Sequence, residues 1–245
     1  RYSSHRAFDQ ERHALTAWRL SAVEDLQSMP RLLAVSESLR ALLIAEVPGR
    51  RVSGDVSRVE AHRRAGKWLA RFHGLPLDSR DAMPIDRALG SRLERWSARG
   101  AEWLGAAERR TLMEIARAGV HHFVDEHRVP CHRDFGEHNW IVDARRRLGV
   151  IDYEHSRPDH RWIDLVRLEV EVWADEPALR DAFASEYAPV MGDLPVHGDA
   201  NRRRAFRALV ALDGLATLVW ARERGDPEFE RRGRLALRWL EDRAI

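Results

Sequence analysis

Three polar side chains in the middle of the chain have the types and spacing that phosphoryl transfer requires. His132, Asp134 and Asn139 fit the pattern HxDxxxxN, and Asp152 ends an apolar stretch further along. One carboxylate must lie about 2.6–3.2 Å from the attacking hydroxyl to orient it and accept its proton. Oxygen ligands must also hold Mg²⁺, which neutralises phosphate charge. Asp134 fits the first role, and Asn139 and Asp152 fit the second.

The same residues permit two other interpretations. A strand-capping aspartate, a turn asparagine and a core histidine would explain the pattern without catalysis. His132, Asp134 and His138 also supply three side chains of the kind that bind zinc in hydrolases. Under the zinc interpretation Asn139 and Asp152 would have no purpose, so the combined pattern favours phosphoryl transfer.

Apolar periodicity indicates the elements that must position these residues. A helix is predicted over residues 4 to about 20, and the apolar stretches 31–35 and 41–46 are typical of a hairpin. Residues 47–49 are expected to form a linker, since they contain Pro and Gly. The remainder is mainly helical. Three short strands are predicted within it, at residues 129–132, 139–142 and 148–151, and they are expected to be adjacent.

Composition narrows the class of protein. The 245 residues are 44% hydrophobic and 33% charged, as in soluble globular proteins. The net charge of +2 is too small to indicate the strongly basic surface of a nucleic-acid-binding protein, so a nucleic-acid partner is not expected. No apolar run approaches the roughly 20 residues that span a bilayer. The single cysteine, Cys131, excludes an internal disulfide and predicts a reducing, cytoplasmic location.

The run from Cys131 to Glu154 resembles the catalytic and metal-binding segment of aminoglycoside phosphotransferases. Their relatives include the choline, homoserine and methylthioribose kinases, and their fold is similar to that of protein kinases. Further segments resemble the family's hinge, its LHxLP helix end, its DRWxDLA segment and its last helix pair, at residues 42–49, 70–76, 159–165 and 211–240. The resemblance implies an α+β, protein-kinase-like fold. A partial small N-terminal lobe would cover residues 1–47, and a mainly helical C-terminal lobe residues 48–245.

The resemblance also implies roles for individual residues. Asp134 would be the catalytic base, and Asn139 and Asp152 would bind Mg²⁺. His132 and Asp164 would support the catalytic loop. The position after the motif histidine, usually glycine in this family, holds an arginine in this chain.

On the nucleotide side, Glu11 resembles the helix glutamate that pairs with the family's nucleotide-binding lysine. Glu46 and Val47 belong to the segment that resembles the hinge, whose backbone meets the adenine of ATP or GTP. The sequence has no Gly-rich phosphate loop, and its one lysine, Lys67, falls on a different element. We therefore expect the chain to be N-terminally incomplete relative to the family, with weak or absent ATP turnover in this form.

The reaction implied is transfer of a nucleotide γ-phosphoryl group to a hydroxyl of a small molecule. An antibiotic such as an aminoglycoside is the leading acceptor, and because aminoglycosides are polycations, acidic side chains should bind them. Glu154 and Glu169 are the main candidates. A metabolic alcohol such as choline or homoserine is the second interpretation, and a pseudokinase-like binding protein without catalysis is the third. The oligomeric state is not predicted.

Overall fold

The computed structural model describes residues 2, 4–19, 29–52, 57–77, 83–124 and 126–243. The chain forms two compact units. The first consists of Arg1–Ser79, Arg128–Arg167 and Glu176–Gly192, and the second of Arg80–His127, Leu168–Asp175 and Asp193–Ile245. Both sides of the predicted boundary between residues 47 and 48 fall in the first unit, so that boundary stays a prediction.

The first unit opens with the predicted helix and hairpin. Helix α1 (His5–His13) continues into a π-helical turn, Ala14–Trp18, and Ser4 caps it by accepting the Ala7 N–H at 3.1 Å. Residue 20, the predicted end of this helix, lies outside the described residues. Strands β1 (Leu32–Ser36) and β2 (Ala41–Ile44) pair antiparallel, which confirms the hairpin.

The strands near the candidate catalytic run form two small sheets. Strands β4 (Val129–Cys131), β5 (Trp140–Val142) and β6 (Leu148–Val150) lie where the sequence predicts them. Strand β5 pairs with β6 and with β3 (Arg50–Arg51), whereas β4 pairs only with β7 (Arg157–Asp159) among the described strands. The expectation that all three predicted strands lie side by side is therefore wrong for β4. Strands β3 and β7 were missed because their polar residues show no apolar alternation.

Two long helices pack together in the first unit, and the first of them contacts strands of both sheets. Helix α2 (Arg58–His73) packs against a later helix, Pro177–Met191. The approach is close at Gly66, where an added Cβ would lie 2.2 Å from the carbonyl oxygen of Phe183. On the inner face of α2 the rings of Trp68 and Phe72 stack at 4.9 Å.

The second unit is helical in the part that the structure describes. Asp199 caps the N-terminus of the unit's longest helix by accepting the Arg202 N–H at 2.8 Å, and Gly225, with φ of +67°, caps the C-terminus. Helices that precede this helix in the chain and the helix that follows it pack against it. None of the described helices is both long and apolar enough to cross a membrane. The helices after α2 are α3 (Ile85–Arg99), α4 (Ala106–Val120), α5 (Ile163–Leu168), α6 (Pro177–Met191), α7 (Ala200–Arg224) and α8 (Pro227–Asp242).

Candidate active site

The loop between β4 and β5 is held by a buried imidazole. His132 donates its Nε2–H to the carbonyl oxygen of Ile151 at 3.0 Å, and its Nδ1 accepts the N–H of Asp134 at 3.3 Å. Burial lowers the pKa of His132, so the ring is neutral. Both ring nitrogens are used within the loop, which leaves none to ligate zinc. The zinc alternative is therefore not supported, and the supporting role of His132 stays a prediction with which these hydrogen bonds are consistent.

A second buried group holds the loop from the other side. The Asp164 carboxylate accepts the backbone N–H of His132 at 2.9 Å and that of Arg133. Two successive N–H groups converge on one carboxylate because Arg133 adopts a left-handed conformation, with φ of +67°. Glycine reaches this conformation freely, whereas another residue pays about 1 kcal/mol. The arginine therefore stands in a backbone position that favours glycine.

Both carboxylate oxygens of Asp134 have partners. Oδ2 accepts an N–H of Asn139 Nδ2 at 3.2 Å and lies 3.2 Å from His138 Nε2. Oδ1 is ion-paired with Arg167 Nη1. Burial alone would raise the pKa of Asp134, but the His138 hydrogen bond and the Arg167 charge outweigh it and hold the pKa well below its ordinary range. Asp134 is thus an ionised carboxylate in a fixed orientation.

Asn139 and Asp152 present the oxygen ligands that a hard cation requires. The Nδ2 group of Asn139 also donates to the Asp134 carbonyl oxygen at 3.0 Å, so its Oδ1 is directed elsewhere. The Ile151 N–H donates to the Asn139 carbonyl at 3.1 Å, which brings the next residue, Asp152, to the same place. Asp152 is exposed with φ of +70°, and its carboxylate has no hydrogen bond or ion pair among the described residues. An amide oxygen beside an unneutralised carboxylate fits Mg²⁺.

Glu11 lies beside this segment. It is 4% exposed and accepts the Tyr153 N–H at 3.4 Å and the Tyr2 hydroxyl. Burial raises the pKa of Glu11, and the charges of Asp152 and Glu154 raise it further. The Tyr2 hydroxyl therefore binds the carboxylate that, by the resemblance, would pair with a nucleotide-binding lysine.

The hinge residues Glu46 and Val47 line a cavity of about 610 Å³ in the first unit. Lys67 of α2 lines the same cavity, but Asp134, Asn139 and Asp152 do not. The structure thus brings the candidate base and metal ligands together, and it does not place the predicted hinge contacts in one cavity with them.

A polar brace that sequence reasoning missed fixes the catalytic loop to α2. Arg58 donates through Nε and Nη2 to both carboxylate oxygens of Glu137, at 2.8 and 3.1 Å, and through Nη1 to Glu176. His62, fully buried, donates to Glu137 at 2.9 Å. Burial opposes ionisation of Glu137, but His62 and Arg58 lower its pKa to about 2. No sequence pattern marks these partners, because they are 75 or more residues from Glu137.

The two predicted substrate carboxylates have different surroundings. Glu154 is partly exposed, and its charge raises the pKa of Glu11. Glu169 is 1% exposed and accepts the indole N–H of Trp239 at 3.2 Å in the second unit. Glu169 is therefore buried beside an indole, and its predicted substrate contact stays a prediction.

Comparisons with known proteins give the family and the fold of the chain. A family model described as the phosphotransferase enzyme family matches residues 3–205. A solved ternary complex of a thermostable mutant of aminoglycoside phosphotransferase APH(4)-Ia with ADP and hygromycin B has a TM-score of 0.73, 13% identity, and coverage of 98% of this chain and 84% of the other. Sequence comparison with curated proteins finds no match.

Two further solved structures have the same fold. The macrolide 2'-phosphotransferase MphH from Brachybacterium faecium has 19% identity, a TM-score of 0.60 and coverage of 94% and 78% of the two chains. An ethanolamine kinase from Plasmodium vivax has 12% identity, a TM-score of 0.65 and coverage of 94% and 70%. At such low identity these likenesses show the fold, and they confirm the predicted kinase-like α+β class.

Proposed function

The chain belongs to the phosphotransferase enzyme family, and on that premise we propose that it transfers the γ-phosphoryl group of ATP or GTP to a hydroxyl of a small molecule. The observation that carries this proposal is the Asp134 carboxylate. It is ionised and fixed by Asn139 and Arg167, and the Asn139 carbonyl bonds to the Ile151 N–H, one residue before Asp152.

Asp134 orients the acceptor hydroxyl and takes its proton. The hydroxyl oxygen bonds to the γ-phosphorus while the bond from that phosphorus to the β–γ bridging oxygen breaks, and the electron pair leaves with the nucleoside diphosphate. The transition state of this reaction is loose, so little proton transfer is needed before the phosphoryl group moves. A weakly basic carboxylate such as Asp134 therefore suits the role, since orientation matters more than base strength.

Asn139 and Asp152 would hold Mg²⁺, which neutralises phosphate charge when it is bound. Glu11, Glu46 and Val47 are proposed to serve the nucleotide: Glu11 through its charge near Asp152, and the hinge residues through backbone contacts with the base. His132 and Asp164 support the loop that carries Asp134, and their hydrogen bonds to loop atoms are the basis for that role.

An antibiotic such as an aminoglycoside is our leading acceptor class, with Glu154 as a ligand for its ammonium groups. Two of the structural neighbours, the aminoglycoside phosphotransferase solved with hygromycin B and the macrolide phosphotransferase, support this choice. The ethanolamine kinase neighbour supports the second candidate, a metabolic amino alcohol of the choline or homoserine type. A binding protein without catalysis is the remaining alternative.

A radiolabel screen tests the proposal. The full-length protein is incubated with γ-labelled ATP or GTP, Mg²⁺ and panels of aminoglycosides, macrolides and amino alcohols. We expect label transfer to one panel, and loss of about 10²–10⁴-fold in the rate for Asp134→Ala. Near-normal transfer by a folded Asp134→Ala protein would remove Asp134 from its role. Nucleotide binding by the wild type without transfer to any acceptor would favour the non-catalytic alternative.

A further inference from the structure

We propose that Arg167 contacts the transferring phosphoryl group and neutralises the charge that develops on it. This inference rests on the proposed phosphotransferase function, and it assigns a catalytic role to a residue outside the sequence motif. Its basis is the position of the guanidinium group beside the candidate base.

Arg167 follows the supporting aspartate on α5 and reaches back to the catalytic loop. Its Nη1 is ion-paired with Asp134 Oδ1 and lies 2.9 Å from His138 Nε2. The side chains of Arg167 and Asp134 are 20% and 25% exposed, so the pair is largely withdrawn from solvent. The guanidinium group is thus fixed at the base by its ion pair and does not extend freely into water.

The reaction geometry places the phosphate within reach of this group. The acceptor oxygen must lie about 2.6–3.2 Å from Asp134, and the phosphorus about 3–3.5 Å from that oxygen. A guanidinium bonded to the same carboxylate is then within a few ångströms of the phosphoryl oxygens, a distance that a small side-chain rotation covers. Arginine has five N–H donors in a planar fork, which matches phosphate oxygens well.

The loop itself offers little other positive charge for this purpose. Nε of Arg133 lies 3.3 Å from Asp159 Oδ2, so that guanidinium is engaged below the loop. His132 is buried and neutral. In a loose transition state charge spreads over three equatorial oxygens, and charge neutralisation supplies most of the catalysis. In the described part of the catalytic run, Arg167 is therefore the cation best placed to supply it.

Local packing makes room for this arrangement. A Cβ added to Gly136 would lie 2.9 and 3.0 Å from atoms of the His138 ring, and 3.5 Å from Arg167 Cδ. Any larger residue would push the imidazole out of the cluster. The glycine therefore allows His138 and Arg167 to lie together at Asp134.

Two other roles for Arg167 predict different results. As an inhibitory clamp it would block Asp134, and its removal would raise the rate. As a merely structural ion pair it would support the loop, and its removal would weaken all nucleotide complexes together. A phosphoryl contact predicts a selective loss in the transition state.

The experiment compares the wild type, Arg167→Ala and Arg167→Lys, with Arg117→Ala as a matched control. Arg117 pairs with Glu94 on an exposed surface of the second unit, at 2.8 Å. Two quantities are measured on the full-length protein: hydrolysis of Mg-ATP without an acceptor, and calorimetric affinity for Mg-ADP with and without aluminium fluoride, which mimics the transferring phosphoryl group. Circular dichroism checks that each variant is folded.

We expect Arg167→Ala to lower hydrolysis by about 10²-fold or more and to weaken the aluminium fluoride complex similarly, with Mg-ADP affinity changed by less than about threefold. Arg167→Lys should be intermediate, because it keeps the charge and loses the fork. Unchanged or faster hydrolysis by Arg167→Ala, or equal weakening of both complexes, would overturn the role of Arg167 and leave the proposed function standing. A wild type that binds no Mg-nucleotide would instead overturn the proposed function.

Discussion

The imidazole of His73 lies 3.0 Å from the buried carboxylate of Asp164, and the same carboxylate accepts the N–H groups of His132 and Arg133. His73 ends helix α2, and its Nδ1 in turn lies 3.0 Å from the Tyr187 hydroxyl. Asp164 therefore connects two helices to the loop that carries the candidate base. Because a buried charge is tolerated only when it is fully hydrogen-bonded, each of these partners is necessary.

Replacement of Asp164 by Asn should destabilise the first unit. The amide keeps the shape of the side chain, but its NH₂ group faces N–H donors where the carboxylate accepted them. We expect the free energy of unfolding to fall by about 2–4 kcal/mol, measured by urea denaturation. Asp193→Asn is the control, since Asp193 is exposed and makes no hydrogen bond or ion pair with the described residues. A loss for Asp164→Asn as small as that of the control would contradict the bracing role.

Helix packing gives a prediction that is independent of catalysis. Gly66 and Gly90 both lie inside helices, but a methyl group on Gly66 would meet the Phe183 carbonyl at 2.2 Å, whereas Gly90 has open space. Gly66→Ala should force α2 and α6 apart and cost about 1–3 kcal/mol or more. Gly90→Ala should stabilise by about 0.5–1 kcal/mol, because it lowers the backbone entropy of the unfolded chain. Thermal unfolding of the pair measures both, and a stabilised Gly66→Ala protein would show that the helices are not in this contact.

Much of this architecture follows from local sequence pattern. Apolar periodicity located the helices and three of the short strands, because one face of each is buried against the rest of its unit. Strand β7, Arg157–Asp159, was not predicted, because its place in the sheet depends on backbone pairing with β4 and not on its side chains. The prediction that β4 lies beside β5 and β6 is wrong for the same reason, since backbone pairing places β4 beside β7.

The candidate site divides in a similar way. Spacing predicted Asp134, Asn139 and Asp152 as a set; the structure bonds Asn139 to Asp134 and pairs the Asn139 backbone with Ile151, next to Asp152. Arg58 and Arg167 neutralise carboxylates of the loop, but no sequence pattern distinguishes them from the many other arginines of the chain. Their pairing depends on folding over 79 and 33 residues. Glu169 shows the reverse case, since a charged residue expected at the substrate is buried by an indole partner.

The Glu137 brace predicts a specific loss of stability in acid. The pKa of Glu137 is about 2 in the folded protein, below its ordinary value of 4.5, so the folded state holds the proton less tightly than the unfolded state. Its contribution is therefore fully present above about pH 5 and is lost as the pH falls through 4.5 towards 2. For this partly exposed group we expect on the order of 2 kcal/mol.

The measurement is the free energy of unfolding of the wild type and of Glu137→Gln between pH 7 and about pH 2.5. The two curves should converge as the pH falls, since protonation of Glu137 removes from the wild type the stabilising ion pairs that the Gln variant lacks at every pH. Glu102→Gln, at an exposed glutamate with no partner among the described residues, should run parallel to the wild type. Parallel curves for Glu137→Gln would mean that the ion pairs to Arg58 and His62 do not stabilise the folded state.

The exposed carboxylate of Asp152 gives a prediction about the metal. Asp152→Asn keeps the size of the side chain and removes the charge, so the cost should appear only when Mg²⁺ accompanies the nucleotide. We expect calorimetry to show at least about tenfold weaker binding of Mg-ATP and unchanged binding of ATP in excess chelator. Asp181→Asn, at an exposed aspartate of α6, controls for the loss of one negative charge from the first unit. Equal affinities of the wild type and Asp152→Asn for Mg-ATP would take Asp152 out of the metal site, whereas equal weakening with and without Mg²⁺ would assign it a structural role.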